Sequence, residues 1–366
     1  MISINSHDFQ NALFLLLRRL VNEGNDVVVR GQNTQELLSC HISVADTTRL
    51  CYFMPFRKDN IFARIAETLW VLQGRNDIGW LSFYLPRAPE FSDNGMTWRA
   101  AYGNRLRHWD WAYEDTDQIS IALNKLIDDP TTRQAVMTIW DPAIDNRISK
   151  DIPCNNWLHF IKRRYGDTDY LFLDIAQRSA DVFWGWSNIN VFEWSILLKM
   201  MAYWTGCAPG SIDWLVTSMH MYEHHYKTAE KILEYNAGTG VIWEPLKFSV
   251  PFDMLTGTLQ RIMQNEAIMR GTAPDVFPRL MLVGDGLLDT FSHMLSIYVK
   301  FKQGSSDEFL SDMIAGMQES EFKYAALLHI ARERPDILDE YIEVYRGVTH
   351  TDEYDLVRSI VSIEND

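Results

Sequence analysis

The sequence predicts an α+β fold, with strands and helices interspersed over residues 1–245 and helices alone over residues 246–366. Before residue 245, short apolar runs with strand character occur among longer runs of helical period. After it, the helical patterns are separated only by Gly, Pro and Ser. The composition, 47% hydrophobic and 23% charged among 366 residues, is typical of a folded globular protein.

The elements of the first region follow from hydrophobic period and turn residues. Helices are predicted at Asp8–Val21, Ile61–Gln73 and Val191–Tyr203. Strands are predicted at Val27–Val29, Leu37–Val44, Ala135–Trp140, Trp157–Lys162 and Asp169–Ala176. Gly74 is suited to end the second helix, and Gly166 with Asp167 favours a hairpin turn between the last two strands. The helix at 191–203 is apolar nearly all round, so we expect it to be buried.

The second region is predicted to be helical. Helical periodicity covers Met254–Met269 and most of Leu310–Tyr345. The sequence pattern indicates no strand in this region. We therefore expect residues 1–245 to form one domain and residues 246–366 a helical C-terminal region with no assigned role.

Charge, cysteine content and hydropathy exclude several classes of protein. The net charge is -15, from 34 basic and 49 acidic side chains, so a nucleic-acid polymer is not an expected partner. Four scattered cysteines are too few for a disulfide framework or a cysteine-rich zinc site. The start of the chain lacks a signal-peptide pattern, and no apolar run reaches about 18 residues. We expect a cytoplasmic protein without a membrane segment.

Two short motifs carry side chains that are suited to chemistry. Cys154 follows a proline in DIPCNNW, where nearby positive charge would make it a nucleophile. Arg178 and Ser179 in QRSADVFWG would suit a phosphate group. Each motif also has a structural explanation when it is taken alone: an inert thiol for the cysteine and a solvated surface side chain for the arginine.

The order of the motifs resembles that of the thymidylate synthase and pyrimidine hydroxymethylase family over roughly residues 10–230. The segments are ETLW, YGNR, DPTTR, PC, QRSADVFWG, an Asn-bearing helix and HMY. The resemblance implies the family fold and a homodimer. It also implies a pyrimidine nucleoside monophosphate as substrate and methylenetetrahydrofolate as one-carbon donor, with no metal.

The resemblance also implies roles for individual residues. Cys154 matches the nucleophile that adds to C6 of the pyrimidine, and Glu67 and Tyr102 match groups that transfer protons. The substrate-binding positions are Arg30, Arg133, Gln177, Arg178, Ser179, Asn190, His220 and Tyr222. Arg133 matches a residue that reaches the phosphate of the neighbouring subunit, and Asp181 matches the aspartate that contacts the folate pterin. Asn190 matches the residue that recognises O4 and N3 of uracil if one residue is inserted after Gly185.

Several of these positions have structural alternatives. Glu67 would also be compatible with a paired carboxylate in the core, and Tyr102 and Tyr222 with packing residues. The histidines His224 and His225 beside His220 only weakly suggest a metal site, because no cysteine or carboxylate partner follows at a suitable interval.

Departures from the family pattern fall mainly around the folate side and the water-exclusion side of the site. Asn155 replaces the histidine that usually follows the nucleophile, Gln134 replaces an arginine, and Ala88 stands where a tryptophan is expected. Thr217–Met219 also departs from the pattern, and the C-terminal segment that closes over folate is not recognisable. These departures would alter the last step at C5, in which water instead of the folate hydride reacts with the transferred carbon. We therefore expect a deoxyuridylate (dUMP) 5-hydroxymethylase. The alternatives are a thymidylate synthase, a dCMP or CMP hydroxymethylase, and a family-derived binding or scaffold protein.

Overall fold

A computed structural model describes residues 2–111, 114–235, 243–344 and 352–365. The chain divides into two compact units, one of residues 1–48 and 66–233 and one of residues 49–65 and 234–366. Two of the three divisions, after residues 65 and 233, fall within helices, and the units differ in outline from the expected regions 1–245 and 246–366. None of the helices in the described ranges is long and apolar enough to cross a membrane.

The first unit is built on a mixed sheet. Its strands are β1 (Ile2–Ser6), β2 (Asn25–Val29), β3 (Gln32–Val44), β6 (Val136–Thr138), β7 (Asn155–Tyr165), β8 (Thr168–Gln177), β9 (Ala180–Asp181) and β10 (Ala208–Tyr222). Two further strands, β4 (Trp109–Trp111) and β5 (Glu114–Thr116), form a separate antiparallel pair. The order in the sheet is β1-β3-β10-β8-β7-β6, with β2 paired to β3 and β9 to β10. The strand β10 is antiparallel to β3 and parallel to β8, so it lies in the centre.

Helices cover one face of this sheet. The first unit contains α1 (Phe9–Glu23), α2 (Ile61–Leu72, shared between the units), α3 (Ile78–Leu81), α4 (Tyr102–Arg107), α5 (Gln118–Asp128), α6 (Pro142–Asp145), α7 (Val191–Trp204) and α8 (Tyr226–Tyr235, shared). Asp8 caps α1 by accepting a hydrogen bond from the Asn11 backbone N–H. Trp214 of β10 is fully buried against Phe9, with the ring centroids 5.8 Å apart. This packing forms the core beneath the site.

A π-helix at Val182–Asn190 leads directly into α7. The π-helix is a rare conformation that arises mostly as a short bulge within an α-helix, often at functional sites. It occupies the segment in which the sequence required one inserted residue after Gly185. The wider turn therefore gives a structural place for that residue.

After residue 243, the described part of the second unit contains helices and no strand. Its helices are α9 (Phe252–Arg270), α10 (Gly286–Gln303), α11 (Asp307–Ala315), α12 (Glu321–Ala331), α13 (Ile337–Val344) and α14 (Asp352–Asn365). Glu321 is buried at the start of α12 and accepts hydrogen bonds from the backbone N–H groups of Leu50 and Cys51. This contact fixes the segment 49–65 to the helices of its own unit.

The predicted α+β class is confirmed. The predicted helices correspond to α1, α2, α7, α9 and parts of α11–α13, while Tyr345 lies outside the described residues. The predicted hairpin turn is present, because Tyr165 pairs with Thr168 and only Gly166 and Asp167 lie between them. The sequence analysis did not predict β1, β4, β5, β9, β10, α3, α4, α5, α6, α8, α10 or α14.

Candidate active site

The β7–β8 pair brings Cys154 and Arg178 together. Asn155 pairs with Gln177 at the end of the two strands, so the preceding and following residues are neighbours. The backbone N–H of Arg178 donates to the Cys154 carbonyl at 3.0 Å. The Arg178 guanidinium donates to the carbonyls of Pro153 and Ile152, both at 2.9 Å, and its Nη2 lies 3.7 Å from Cys154 Sγ.

The protonation of Cys154 is set by two opposing influences. Burial raises the pKa of the thiol above its usual value, and the Arg178 guanidinium lowers it. Asp151 raises it further, while Arg30 lowers it. The net effect is a raised pKa, and Arg178 is placed to stabilise the thiolate.

Two buried carboxyl groups, of Glu67 and Glu193, and the half-buried one of Asp151 accompany the cysteine. Burial and the neighbouring Asp151 raise the pKa of Glu67 to about 8, and burial raises that of Asp151 to about 6. Burial and the nearby Glu67 also raise the pKa of Glu193 well above its usual value. Asp151 accepts a hydrogen bond from the Ala100 backbone at 2.8 Å. The sequence reading proposed Glu67 but missed the other two carboxyl groups. The single charged residue in the apolar start of α7 could have revealed Glu193.

A buried chain of amide groups connects Asn155 to Asn190. Gln177 Nε2 donates to Oδ1 of Asn155 and to Oδ1 of Asn190, both at 2.8 Å. Asn190 Nδ2 in turn donates to Glu193 Oε1 at 2.8 Å. All four side chains are at most 5% exposed. Asn188, on the same π-helix, has a buried Oδ1 without a hydrogen-bond partner in the described part of the chain.

Tyr102 begins α4 and lies beside this amide chain. Burial raises its pKa well above the usual value, Cys154 and Glu193 raise it further, and Asn155 opposes the rise. Its ring packs 5.8 Å from the Trp194 ring. Arg105 of the same helix is buried and donates to Asp145 through two nitrogens, at 2.5 and 2.8 Å. This ion pair holds α4 in place and so positions Tyr102.

The end of β10 carries the predicted sugar-binding pair. The rings of His220 and Tyr222 lie edge to face, 5.3 Å apart. His220 of β10 pairs with Asp181 of β9. In the sequence, Asp181 comes shortly after Arg178 and Ser179. The structure therefore brings both predicted binding segments to the same end of the sheet.

The two remaining predicted arginines lie on exposed turns. Arg30 and Gly31 both have positive φ, at 52° and 78°, and form the two-residue connection between β2 and β3. Arg30 lowers the pKa values of Cys154 and Tyr222, so it faces the site. Arg133 is exposed in the loop between α5 and β6, and no described hydrogen bond joins it to the other predicted residues.

The predicted folate side contains Asp181 and an indole. Asp181 Oδ1 caps the π-helix by accepting from the backbone N–H groups of Phe183 and Trp184, and its Oδ2 makes no hydrogen bond with the described residues. Trp98 donates its indole N–H to the Ala88 carbonyl at 2.8 Å. An indole therefore lies beside the position at which the sequence has alanine.

His224 and His225 take part in ring packing. His224 stacks on Tyr222 with centroids 5.8 Å apart, and His225 stacks on Phe183 at 4.5 Å. No group of three His, Cys, Asp or Glu residues in the described ranges has an arrangement that could hold a metal ion.

Comparison with known proteins identifies the family. Residues 14–240 match the thymidylate synthase family. The chain belongs to the thymidylate synthase family. This confirms the predicted resemblance, and the matched segment contains every predicted site residue from Arg30 to Tyr222.

This family member is similar to three named proteins. It is 36% identical over 219 residues to the deoxyuridylate hydroxymethyltransferase of Bacillus phage SP01, covering 58% of this chain and 56% of that protein. It is 30% identical over 289 residues to the deoxyuridylate hydroxymethyltransferase of Delftia phage PhiW-14, covering 68% and 73%. It is 27% identical over 223 residues to the thymidylate synthase of Buchnera aphidicola, covering 59% and 80%. The chain thus spans little more than half the length of the SP01 protein.

Proposed function

We propose that this family member is a deoxyuridylate hydroxymethyltransferase, which transfers one carbon to C5 of dUMP and completes the product with water. One observation carries the proposal. Cys154 Sγ lies 3.7 Å from Arg178 Nη2, and the next residue, Asn155, begins the buried chain of amide groups that leads to Asn190. This arrangement supplies a nucleophile and a base-recognising group on one continuous support. The names of the SP01 and PhiW-14 relatives favour the same activity.

Cys154 would activate the pyrimidine by adding to C6. This addition makes C5 an enolate-like nucleophile, which the free ring does not offer. Arg178 stabilises the thiolate. We infer that the carboxylate of Asp151, which acts on the pKa of the thiol, accepts the thiol proton before Sγ adds to C6. A dianionic phosphate held by Arg30, Arg178 and Ser179 would fix the ring against Sγ.

Asn190 would recognise the base. Its Oδ1 and Nδ2 each make one described hydrogen bond, which leaves one acceptor site and one donor proton. An acceptor for N3–H beside a donor for O4 matches the edge of uracil. Because an unpaired buried polar group is costly, this edge would select uracil over cytosine.

The residues on the folate side fit methylenetetrahydrofolate. Asp181 Oδ2 is available as an acceptor for pterin N–H groups, since the capping bonds use the other oxygen. When bound, methylenetetrahydrofolate supplies the one-carbon unit. The chain itself contributes the carboxylate and the half-exposed Trp184 indole beside it.

The choice of water as the quenching agent rests on the polar groups around Cys154. Asn155 adds an amide next to the cysteine, and Glu67 and Tyr102 lie in the same buried cluster as possible partners for a water molecule and its proton. Hydride delivery would instead require that water be kept out. The Trp98 indole beside Ala88 is the observation that favours a second candidate, thymidylate synthase, because it retains an aromatic wall.

We propose that the active form is a homodimer. The sheet face opposite the helices exposes Val136, Tyr165 and Leu215, with Trp157 and Phe172 half-buried beside them. Arg163 on this face donates to the Thr131 carbonyl, which places the loop of Arg133 at its edge. A second copy covering this apolar face would bring its Arg133 toward the phosphate of the first.

The four free thiols favour a reducing compartment, so we also propose a cytoplasmic location.

Product analysis tests the function. Incubation with dUMP and methylenetetrahydrofolate should yield 5-hydroxymethyl-dUMP together with tetrahydrofolate. The matched variant Cys154→Ser should fold but give no product and no covalent adduct with 5-fluoro-dUMP. A methylated nucleotide formed in step with dihydrofolate would assign the chain as a thymidylate synthase instead, and full activity of the serine variant would exclude Cys154 as the nucleophile.

A further inference from the structure

Glu193 contacts the group that we assign to base recognition. It lies in the first turn of α7, is 1% exposed, and accepts a hydrogen bond from Asn190 Nδ2 through Oε1 at 2.8 Å. Its Oε2 is buried and has no hydrogen-bond partner in the described part of the chain. No family motif named above includes this residue.

The amide chain can in principle run in either of two directions. Each Asn or Gln side chain has a donor end and an acceptor end of nearly equal size, so a rotation exchanges them. In the observed direction, Gln177 Nε2 gives hydrogen bonds to Asn155 and Asn190. If all three amides rotated together, Gln177 would accept from both neighbours and the bonds among the amides would be preserved. The three amides alone therefore do not fix the direction.

The carboxyl group of Glu193 decides between the two directions. An ionised carboxylate only accepts, and so does Oε1 of a carboxylic acid whose proton is on Oε2, whereas a proton on Oε1 would make Glu193 a donor. In the structure Oε1 accepts from Asn190 Nδ2, and a rotated Asn190 would turn Oδ1 toward that acceptor, so that two acceptors would face each other in a buried site. With Oε1 as an acceptor, the observed direction is the one in which every bond along the chain has a donor.

The direction of the chain determines which base edge fits Asn190. Uracil presents the acceptor O4 beside the donor N3–H, whereas cytosine presents the donor amino group at C4 beside the acceptor N3. Rotation of the Asn190 amide exchanges its free donor and acceptor, which changes a uracil-compatible edge into a cytosine-compatible one. We propose that Glu193 is a positioning residue that sets the direction of the amide chain and so makes the site selective for uracil. This inference rests on the proposed function.

Equilibrium binding of dUMP and dCMP to the full-length protein tests the proposal without requiring turnover. Titration calorimetry on the wild type should show preference for dUMP. Glu193→Gln keeps the size of the side chain but offers Nε2 as a donor, so it should accept either direction and lower the dUMP:dCMP affinity ratio by about tenfold or more, in part by improved dCMP binding. Glu193→Met removes the acceptor and should also lower the ratio; since it replaces a buried carboxyl group by an apolar side chain, we expect it to fold.

Ser195→Ala is the matched control. Ser195 is equally buried on α7, but its hydroxyl donates to the Val191 carbonyl of its own helix, so its loss should leave the ratio unchanged. A folded Glu193→Gln or Glu193→Met variant with the wild-type ratio, or with equal weakening of both nucleotides, would overturn the role of Glu193 while leaving the enzyme assignment intact. Failure of the wild type to prefer dUMP would overturn the base assignment itself and this inference with it.

Discussion

Replacement of Arg178 by glutamine should make Cys154 less reactive. The guanidinium Nη2 lies 3.7 Å from Sγ. Two unit charges about 4 Å apart interact by ~4 kcal/mol at an effective dielectric constant of about 20. Arg178 is half-buried, so solvent screening reduces this to about 1–3 kcal/mol. The loss of the arginine should therefore raise the pKa of Cys154 by about one to two units.

Alkylation by iodoacetamide at neutral pH measures this change. A thiolate with a higher pKa is intrinsically more nucleophilic, and on a logarithmic scale this offsets about half of the loss in thiolate fraction. The alkylation rate of Arg178→Gln should therefore be about three- to tenfold lower than that of the wild type. Cys207 is half-buried and would also react, so the assay is made in a Cys207→Ser background. The other two cysteines are shielded: both are buried, and burial raises the pKa of Cys40 to about 11. Arg178→Lys should restore part of the rate, and Arg164→Gln, which removes an exposed arginine, should leave it unchanged. An unchanged or faster rate in Arg178→Gln would show that the arginine does not stabilise the thiolate.

Three further changes have defined outcomes. Asn190→Asp should shift the kcat/KM preference from dUMP toward dCMP, because a carboxyl group suits the cytosine edge; an unchanged preference in assays of both nucleotides would remove Asn190 from base recognition. Asp145→Asn should lower the free energy of unfolding by about 3–5 kcal/mol in denaturant titrations, since it leaves buried Arg105 without its counter-charge; a loss below 1 kcal/mol would contradict this. Glu67 has a pKa of about 8 in the fold against an ordinary 4.5, so its contribution to stability is complete below about pH 4.5 and lost as the pH rises through 8. Melting temperatures should decline across this range and decline less in Glu67→Gln; parallel curves would refute the raised pKa.

The fold was predictable where local pattern and tertiary role agree. The apolar stripe of α1 and the Gly166–Asp167 turn are set by neighbouring residues, and both occur as predicted. The strand β10 was missed although it is the longest in the sheet. Near its start are Pro209 and Gly210, which favour a turn, and its extended form is stabilised by pairing with β3 and β8. Such long-range pairing leaves little trace in local sequence.

The candidate site was predictable where a family motif carries the residue. Cys154, Arg178, His220 and Asp181 were proposed in this way, and the sheet register places their segments together. Glu193 was missed because a helix that is apolar on nearly all sides reads as packing, and its carboxyl group gains meaning only from its contact with Asn190. The contact of the Trp98 indole with Ala88 was likewise not predicted, because the two residues are ten apart in the sequence and only the fold brings them together.

The origin of the product oxygen is the most direct test of the central claim that water completes the reaction. The wild-type protein is incubated with dUMP and methylenetetrahydrofolate in water enriched in the heavy oxygen isotope, and the nucleotide is analysed by mass spectrometry while the absorbance of dihydrofolate is followed. We predict a hydroxymethylated nucleotide that carries one heavy oxygen atom, with no dihydrofolate formed. A methylated nucleotide without the heavy isotope, formed in step with dihydrofolate, would contradict the claim.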